Sequence, residues 1–403
     1  MNLYINIFLL LGLAVASGEI FARIKQVPLI GQVLIGIIIG PSVLGIITYS
    51  SASSLMVISD IAVFFLMFIS GLELDIKEVW KESASSIVIA ITMFVIPYLI
   101  GYTVFFYVLK YPYIVSMFIA LCLSMSALPV ASMILHELDI YNTTLGTKIM
   151  STSTFKDIIS MFVLSIILMI YTYHSISINL VLDSILKIII FLGVVILVYL
   201  LILYFKIIPS TIGKLLKKLK SREIVFALLL VTSLAISVFA QDMGMSFITG
   251  TFFSGLIITD ESTGKKQYND LLNILSPVTY GFFAPLFFAI LGVEFILSGL
   301  IEDFLIFLIM LIIAIGAKIL GGYLGSKVVK QDSYDSLMIG SVCTAGGVLE
   351  LVVASIGYSS GIISGIVFSL LVANSIVTSI LAPLIASAIK EKVHIIKNVK
   401  GAL

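Results

Sequence analysis

The sequence predicts an all-α polytopic membrane protein with about 13 transmembrane helices. Of its 403 residues, 60% are hydrophobic and 11% are charged, and the mean hydropathy is +1.22. A soluble domain of this length does not have that balance. Apolar runs of about 20 residues, the length that crosses the hydrocarbon core, follow one another along the chain. The basic residues collect in alternate loops between these runs.

The apolar runs define the predicted spans. Each is expected to be helical, because backbone that faces lipid must satisfy its own hydrogen bonds. The runs cover residues 3–22, 27–47, 56–72, 84–109, 113–135, 149–172, 181–205, 223–241, 245–259, 272–297, 303–327, 334–357 and 361–389. Arg23 and Lys25 follow the first run and no basic region precedes it, which favours a retained helix over a cleaved signal.

The basic residues predict the orientation of the chain. With the N-terminus outside, the inner loops hold 19 of the 23 Lys and Arg residues. Lys110 and Lys187 fall outside, and Lys156 and Lys318 fall within spans. The positive-inside rule predicts this asymmetry, so we expect a cytoplasmic C-terminus and a location in the cell (inner) membrane.

Composition also argues against several other classes of protein. The net charge of +1 gives no indication of a nucleic-acid partner. Two Cys and three His indicate neither a disulfide framework nor a Cys/His metal site. We therefore expect no cofactor, and the lipid bilayer as the surrounding partner.

Spans five and twelve are interrupted near their middles. Span five contains Ser126 and Pro129, and span twelve contains Gly346 and Gly347, all of which disfavour a helix interior. The two spans are seven apart in the chain, and an odd offset reverses their orientation in the membrane. Paired interrupted helices in inverted halves indicate an ion site near the middle of the bilayer.

This offset predicts one transmembrane domain over residues 1–400, built from two inverted repeats with two discontinuous helices that cross. The first repeat would cover residues 1–172 and the second residues 223–390, with a connector helix at residues 181–205.

Lys156 and Asp157 place adjacent opposite charges inside span six. An ionisable residue in the membrane is costly and by default marks an ion pathway. A buried carboxylate needs a proton or a cation as its counter-charge, and oxygen is the ligand that hard cations prefer. Asp157 is therefore the candidate for binding both the proton and the transported Na⁺. Ser153, on the same helical face, and Ser126 are expected to complete the cation's shell. The alternative is that Asp157 is a structural counter-ion for a lysine.

Lys318 and Glu350 are also placed deep in the membrane. With Lys156 and Asp157 they make two positive and two negative charges, which predicts a charge-compensating role for Lys156, Lys318 and Glu350. Because an unpaired buried charge is costly, Glu350 is expected to pair with one lysine, in the first place Lys156. For Lys318, the roles of structural strut and proton carrier both stay open.

Three further segments carry recognisable motifs. Residues 27–45 read Val-Pro-Leu-Ile-Gly-Gln-Val-Leu-Ile-Gly-Ile-Ile-Ile-Gly-Pro-Ser-Val-Leu-Gly, residues 65–75 read Phe-Leu-Met-Phe-Ile-Ser-Gly-Leu-Glu-Leu-Asp, and residues 285–294 read Pro-Leu-Phe-Phe-Ala-Ile-Leu-Gly-Val-Glu. They resemble the second, third and tenth spans of the monovalent cation:proton antiporter-2 family, whose fold is shared with bacterial sodium/proton antiporters. With spans five, six, eleven and twelve, the resemblance covers nearly all of residues 1–390.

The resemblance implies roles for particular residues. The family's ion-binding acid in span six falls on Asp157, and its span-eleven lysine falls on Lys318. The residue before the acid is commonly Asp, Asn or Gln, whereas this chain has Lys156, so the usual pairing of that residue with the lysine cannot form. The resemblance also implies a core of spans 4–6 and 11–13 that moves against a dimerising scaffold, and hence a homodimer.

The sequence therefore indicates a secondary active antiporter rather than an enzyme. It would exchange a monovalent cation, taken as Na⁺, for H⁺ by alternating access, with Asp157 binding the two in turn. One carboxylate that releases one proton per Na⁺ makes exchange electroneutral, which we favour, whereas a further proton from Lys156 or Lys318 makes it electrogenic. A K⁺/H⁺ efflux antiporter is the nearest alternative and a passive cation channel a more distant one.

Overall fold

The computed structural model describes residues 3–48, 55–74, 83–173, 222–243, 245–259 and 265–401, with a few single positions between 186 and 197. Apart from those positions, the predicted connector helix at 181–205 lies outside the described residues, as does the basic segment 206–221. All regular structure in the described stretches is helical.

The apolar runs form helices throughout these stretches. In chain order they are α1 (Leu3–Arg23), α2 (Pro28–Ile39), α3 (Met56–Leu72), α4 (Ser83–Thr103), α5 (Tyr113–Ser124), α6 (Leu128–Glu137), α7 (Thr144–Tyr173), α8 (Arg222–Asp242), α9 (Phe247–Ile257), α10 (Lys265–Val278), α11 (Ala284–Val293), α12 (Leu297–Glu302), α13 (Phe304–Ile312), α14 (Lys318–Val328), α15 (Ser333–Val342), α16 (Val348–Ser359) and α17 (Gly365–Gly401). Single turns of π-helix extend α4 over Val104–Val108, join α10 to α11 over Thr279–Phe283, and join α13 to α14 over Ile313–Ala317.

The predicted fold class is confirmed. Within the described residues, 7 helical stretches are long and apolar enough to cross a membrane, and shorter apolar helices accompany them. The count of about thirteen spans stays a prediction, because the span at 181–205 lies outside the described residues.

Span two ends earlier than the sequence predicts. The apolar run continues to residue 47, but α2 ends at Ile39. Gly40 has extended backbone, with φ −75° and ψ 179°, which is the conformation that a residue before proline favours. Pro41 has no N–H with which to continue the helix. The chain then turns back, and the amide of Gly45 donates to the carbonyl of Gly40 at 2.8 Å.

The chain divides into two compact units. One comprises residues 1–15, 50–76 and 164–290, and the other comprises residues 16–49, 77–163 and 291–403. The second unit contains both interrupted helices and all the charged residues that the sequence places deep in the membrane.

Glycines bring α4, α14 and α15 close together in the second unit. A Cβ atom on Gly321 of α14 would lie 2.9 Å from Cα of Met93 in α4, and one on Gly322 would lie 2.6 Å from Cα of Gly340 in α15. Small residues allow such close approach of helices in a membrane. Lys318 is the first residue of α14, so the close packing of α14 against α4 and α15 fixes the position of the Lys318 backbone.

The first unit is held together by close contacts and paired hydroxyl groups. A Cβ atom on Gly255 of α9 would lie 2.3 Å from the carbonyl oxygen of Phe68 in α3. Between α8 and α9, the hydroxyls of Ser237 and Thr251 are 2.9 Å apart, and Ser165 of α7 donates to Thr249 at 3.0 Å. These buried hydroxyls satisfy one another, so we interpret them as packing contacts rather than as ligands.

Gly322→Ala should destabilise the second unit. The new methyl group meets the backbone of Gly340, which cannot move without shifting α15, and overpacking of this kind costs roughly 1–3 kcal/mol. The thermal unfolding midpoint of the purified protein in detergent should therefore fall.

Gly316→Ala is the matched control on the neighbouring π-helical turn. Gly316 is exposed, and a Cβ atom there would meet nothing within 4 Å. Equal midpoints for the two variants would contradict the close packing of α14 and α15.

Candidate ion-binding site

The two interrupted helices contact each other at their breaks, and we call this contact the crossing. Helix α5 ends at Ser124 and α6 begins at Leu128, while α15 ends at Val342 and α16 begins at Val348. The amide of Ala127 in the first break donates to the carbonyl of Ala345 in the second at 3.0 Å. Two helix C-termini and two helix N-termini therefore end in this region, and their unpaired carbonyls and amides are available to charged groups.

The predicted break residues lie at or next to these interruptions. Pro129 is in the first turn of α6, where a missing N–H costs nothing, so it begins the second half-helix and does not form the break itself. Gly346 and Gly347 lie inside the second break. A Cβ atom on Gly347 would lie 2.3 Å from that of Ala127, so the crossing itself requires glycine there. Ser126 lies in the first break, and its buried Oγ atom has no hydrogen-bond partner.

Helix α17 holds the second break from one side. Thr378 accepts a hydrogen bond from the amide of Gly346 at 3.2 Å, and Ser379 donates to the carbonyl of Gly346 at 2.7 Å. The sequence reasoning missed this pair. Their only signal was two adjacent hydroxyl residues in a predominantly apolar span.

Helix α7 brings the predicted carrier to the crossing. The hydroxyl of Ser153 lies 3.2 Å from Sγ of Cys343 at the second break, and Asp157 follows one helical turn later on the same face. Asp157 is 1% exposed, and its Oδ1 atom has no hydrogen-bond partner. Thr152, which the sequence reasoning did not select, is also fully buried with an unpartnered hydroxyl.

The two buried lysines differ in their contacts. Lys318 is fully buried and donates to the carbonyl of Thr344 in the second break, at 3.3 Å. A positive charge there complements the negative end of α15. Lys156 is also fully buried, but its Nζ atom has no hydrogen-bond partner. Lys318 thus has the contacts of a strut for the broken helix, and Lys156 does not.

The direct pair expected between Glu350 and Lys156 is not formed. Among the described residues, the ion pair within 4 Å is the exposed contact of Arg23 with Glu19. Lys318, rather than Lys156, reaches the break that immediately precedes α16, which carries Glu350.

The four charges nevertheless belong to one electrostatic group. Lys318 interacts with both Glu350 and Asp157, and Lys156 interacts with all three of the others. A proton or a monovalent cation on Asp157 adds the same single positive charge to this group, so the exchange of one for the other leaves its net charge unchanged. This arrangement can therefore couple cation binding to proton release.

The sequence model described as "Sodium/hydrogen exchanger, transmembrane" matches residues 7–392. The chain belongs to the sodium/hydrogen exchanger family. The predicted membership of a monovalent cation:proton antiporter family is confirmed, and it places the chain among transporters.

Three proteins described as antiporters are similar to this chain along most of its length. It is 28% identical to the probable Na⁺/H⁺ antiporter GerT of Bacillus cereus, over 89% of this chain and 92% of that protein. It is 29% identical to the Na⁺/H⁺ antiporter of Enterococcus hirae, over 97% of this chain and 99% of that protein. It is 26% identical to the Na⁺/H⁺-K⁺ antiporter GerN of Bacillus cereus, over 85% of this chain and 85% of GerN.

A solved exchanger structure has a similar fold. The sodium proton antiporter MjNhaP1 of Methanocaldococcus jannaschii at pH 8 matches with a TM-score of 0.75, over 96% of this chain and 97% of that one. The sequences are 18% identical, so this likeness concerns the fold.

Ser379→Ala should weaken the second break of this exchanger. It leaves the buried carbonyl of Gly346 without its donor, and a buried polar group that loses its partner costs about 1–3 kcal/mol. The thermal unfolding midpoint of the purified protein should fall.

Thr103→Ala provides the control, because Thr103 is exposed and bonds only the carbonyl of Leu99 in its own helix. If both variants unfold at the wild-type midpoint, the contact from α17 does not hold the break.

Proposed function

We propose that the chain exchanges a monovalent cation, Na⁺, for H⁺ by alternating access, and that Asp157 binds the two in turn. The observation that carries the proposal is the position of Asp157, which is buried on the helix that contacts the crossing and has an unpartnered carboxylate oxygen. Membership of the sodium/hydrogen exchanger family supports the reaction class.

Competition for one carboxylate provides the coupling. A carboxyl group buried away from water must be neutralised by a proton or by a cation, so binding of either displaces the other. The hydroxyls of Ser126 and Ser153 supply further hard oxygen ligands of the kind such cations take. Lys156, Lys318 and Glu350 compensate the remaining charge of the group.

The orientation in the membrane and the oligomeric state are also proposals. The chain would lie in the cell (inner) membrane with its N-terminus outside and its C-terminus in the cytoplasm, as the distribution of basic residues predicts. It would act as a homodimer, in which spans 4–6 and 11–13 move against the other spans.

K⁺ is the second candidate for the transported cation. GerN, which is similar to this chain over 85% of both proteins, is described as an Na⁺/H⁺-K⁺ antiporter. A carboxylate with two hydroxyls does not by itself select one alkali ion, so the choice between Na⁺ and K⁺ is made by transport measurements.

Asp157→Asn should abolish exchange. It keeps the size of the side chain but removes the group that alternates between proton and cation. We expect transport to fall on the order of 100-fold or more, as when a proton-transferring group is removed from an enzyme. The measurement is dequenching of a pH-sensitive dye in everted vesicles, with NaCl, KCl and LiCl added separately.

The control is Asp60→Asn. Asp60 is an exposed acid in α3, in the other unit, so the same chemical change there should leave transport near wild type. Native transport rates in Asp157→Asn would contradict the proposal.

Exchange should be insensitive to membrane voltage. If one proton leaves for each Na⁺ bound, no net charge moves, whereas one net charge moved against 100 mV costs about 2.3 kcal/mol. The test is Na⁺-driven pH change in proteoliposomes with K⁺ and valinomycin setting the voltage and Na⁺ as the varied substrate. A steep dependence of rate on voltage would show that a lysine also releases a proton.

A further inference from the structure

We propose that Glu350, Asn374 and Ser375 form a second binding site for the transported cation, separate from Asp157. The inference rests on the proposed cation exchange. The proposed site lies on the side of the second break that faces α17. The sequence predicted only a charge-compensating role for Glu350 there.

Three oxygen atoms in this cluster are unused by the protein. Asn374 donates its Nδ2 to Oε1 of Glu350 at 3.3 Å. That bond leaves Glu350 Oε2, Asn374 Oδ1 and Ser375 Oγ, each of them buried and without a hydrogen-bond partner. All three residues are 0% exposed. Burying one such oxygen without a partner already costs free energy, so three together indicate a ligand.

Two of these oxygens converge at Gly346. A Cβ atom on Gly346 would lie 2.6 Å from Glu350 Oε2 and 2.6 Å from Ser375 Oγ. The two oxygens are therefore at most 2 × 2.6 = 5.2 Å apart. Hard cations such as Ca²⁺ are bound by oxygens about 2.3–2.6 Å away, and two ligands on opposite sides of such an ion are about 5 Å apart. The separation thus allows both oxygens to bind one ion.

The local charge suits a monovalent cation. Glu350 lies in the first turn of α16, where the helix N-terminus favours a carboxylate. Lys318 is engaged with the carbonyl of Thr344, and its contact does not involve any of the three unused oxygens. One carboxylate with two neutral oxygens carries a single negative charge, for which an alkali ion competes with the positive charge of Lys318.

A role for Glu350 as counter-ion to Lys318 does not by itself explain the cluster. A counter-ion for Lys318 requires the carboxylate of Glu350, but it requires neither the amide oxygen of Asn374 nor the hydroxyl of Ser375. The backbone groups of Gly346 are already satisfied by Thr378 and Ser379, so Ser375 is not needed to hold the break either.

Ser375→Ala tests the site with little risk to folding, because the hydroxyl that it removes lies beside Glu350 and has no hydrogen-bond partner of ordinary geometry. The substitution removes one cation ligand, whose contribution to binding is about that of one hydrogen bond. The Na⁺ concentration for half-maximal transport should therefore rise by roughly 5-fold to 10-fold, with the maximal rate little changed. Ser326→Ala is the matched control, since Ser326 is also fully buried with an unpartnered hydroxyl but lies in α14. An unchanged Na⁺ requirement in Ser375→Ala, or an equal change in Ser326→Ala, would overturn the proposal.

Binding without transport separates this proposal from the role of Asp157. The probe is NaCl, with choline chloride at equal ionic strength as the reference, and the measurement is the thermal unfolding midpoint, which a bound ligand raises. In purified Asp157→Asn protein, Na⁺ should still raise the midpoint, and Asp157→Asn/Ser375→Ala should lose that rise. If Asp157→Asn shows no rise with Na⁺, the second site is refuted while Asp157 keeps its proposed role. If Asp157→Asn still transports, the proposed function fails instead.

Discussion

The candidate site depends on the need to satisfy backbone groups where two helices are broken inside an apolar protein. A lipid-surrounded chain cannot leave amides and carbonyls without partners. Here the amide of Ala127 bonds the carbonyl of Ala345, so each break supplies what the other lacks. Lys318 then bonds the carbonyl of Thr344, and α17 bonds both backbone groups of Gly346. The broken helices are stable because several distant segments meet at one place.

This arrangement also explains how charges are accommodated. Half-helix ends present partial charges to the interior of the second unit, and buried side-chain charges are placed against them. Lys318 is used in this way, and Glu350 occupies the first turn of α16. Lys156 and Asp157 are different, because the Nζ of one and the Oδ1 of the other have no hydrogen-bond partner. Groups that the fold does not satisfy are those that can respond when an ion or a proton arrives.

Lys156 is the chain's main departure from the pattern that its family resemblance implies. Where relatives commonly have an acid or an amide before the carrier carboxylate, this chain has a buried ammonium group. A positive charge at that position changes the balance of charges among Lys156, Asp157, Lys318 and Glu350. Glu350 supplies the second negative charge of this group. The oxygens around Glu350 that have no hydrogen-bond partner place a second candidate acid in α16 rather than next to Asp157.

Local signals in the sequence determined the class and selected candidate residues for the site. Hydropathy predicted the helices, Gly346 and Gly347 predicted a break, and a charge in an apolar run selected Asp157 as the candidate ion-binding residue. Each of these is a property of a single segment. Hydropathy did not show that α2 ends at Ile39, because Gly40 and Pro41 stop the helix within a run that remains apolar.

Only the tertiary structure decided which residues meet. The contacts of Ser153 with Cys343 and of Ser379 with Gly346 join segments that the sequence does not relate to each other. The tertiary structure also placed Lys318, rather than Lys156, at the break that precedes Glu350. Sequence reasoning could count the charges and require that they balance. Which of them face one another depends on how helices far apart in the chain pack, and glycines that permit close approach set that packing.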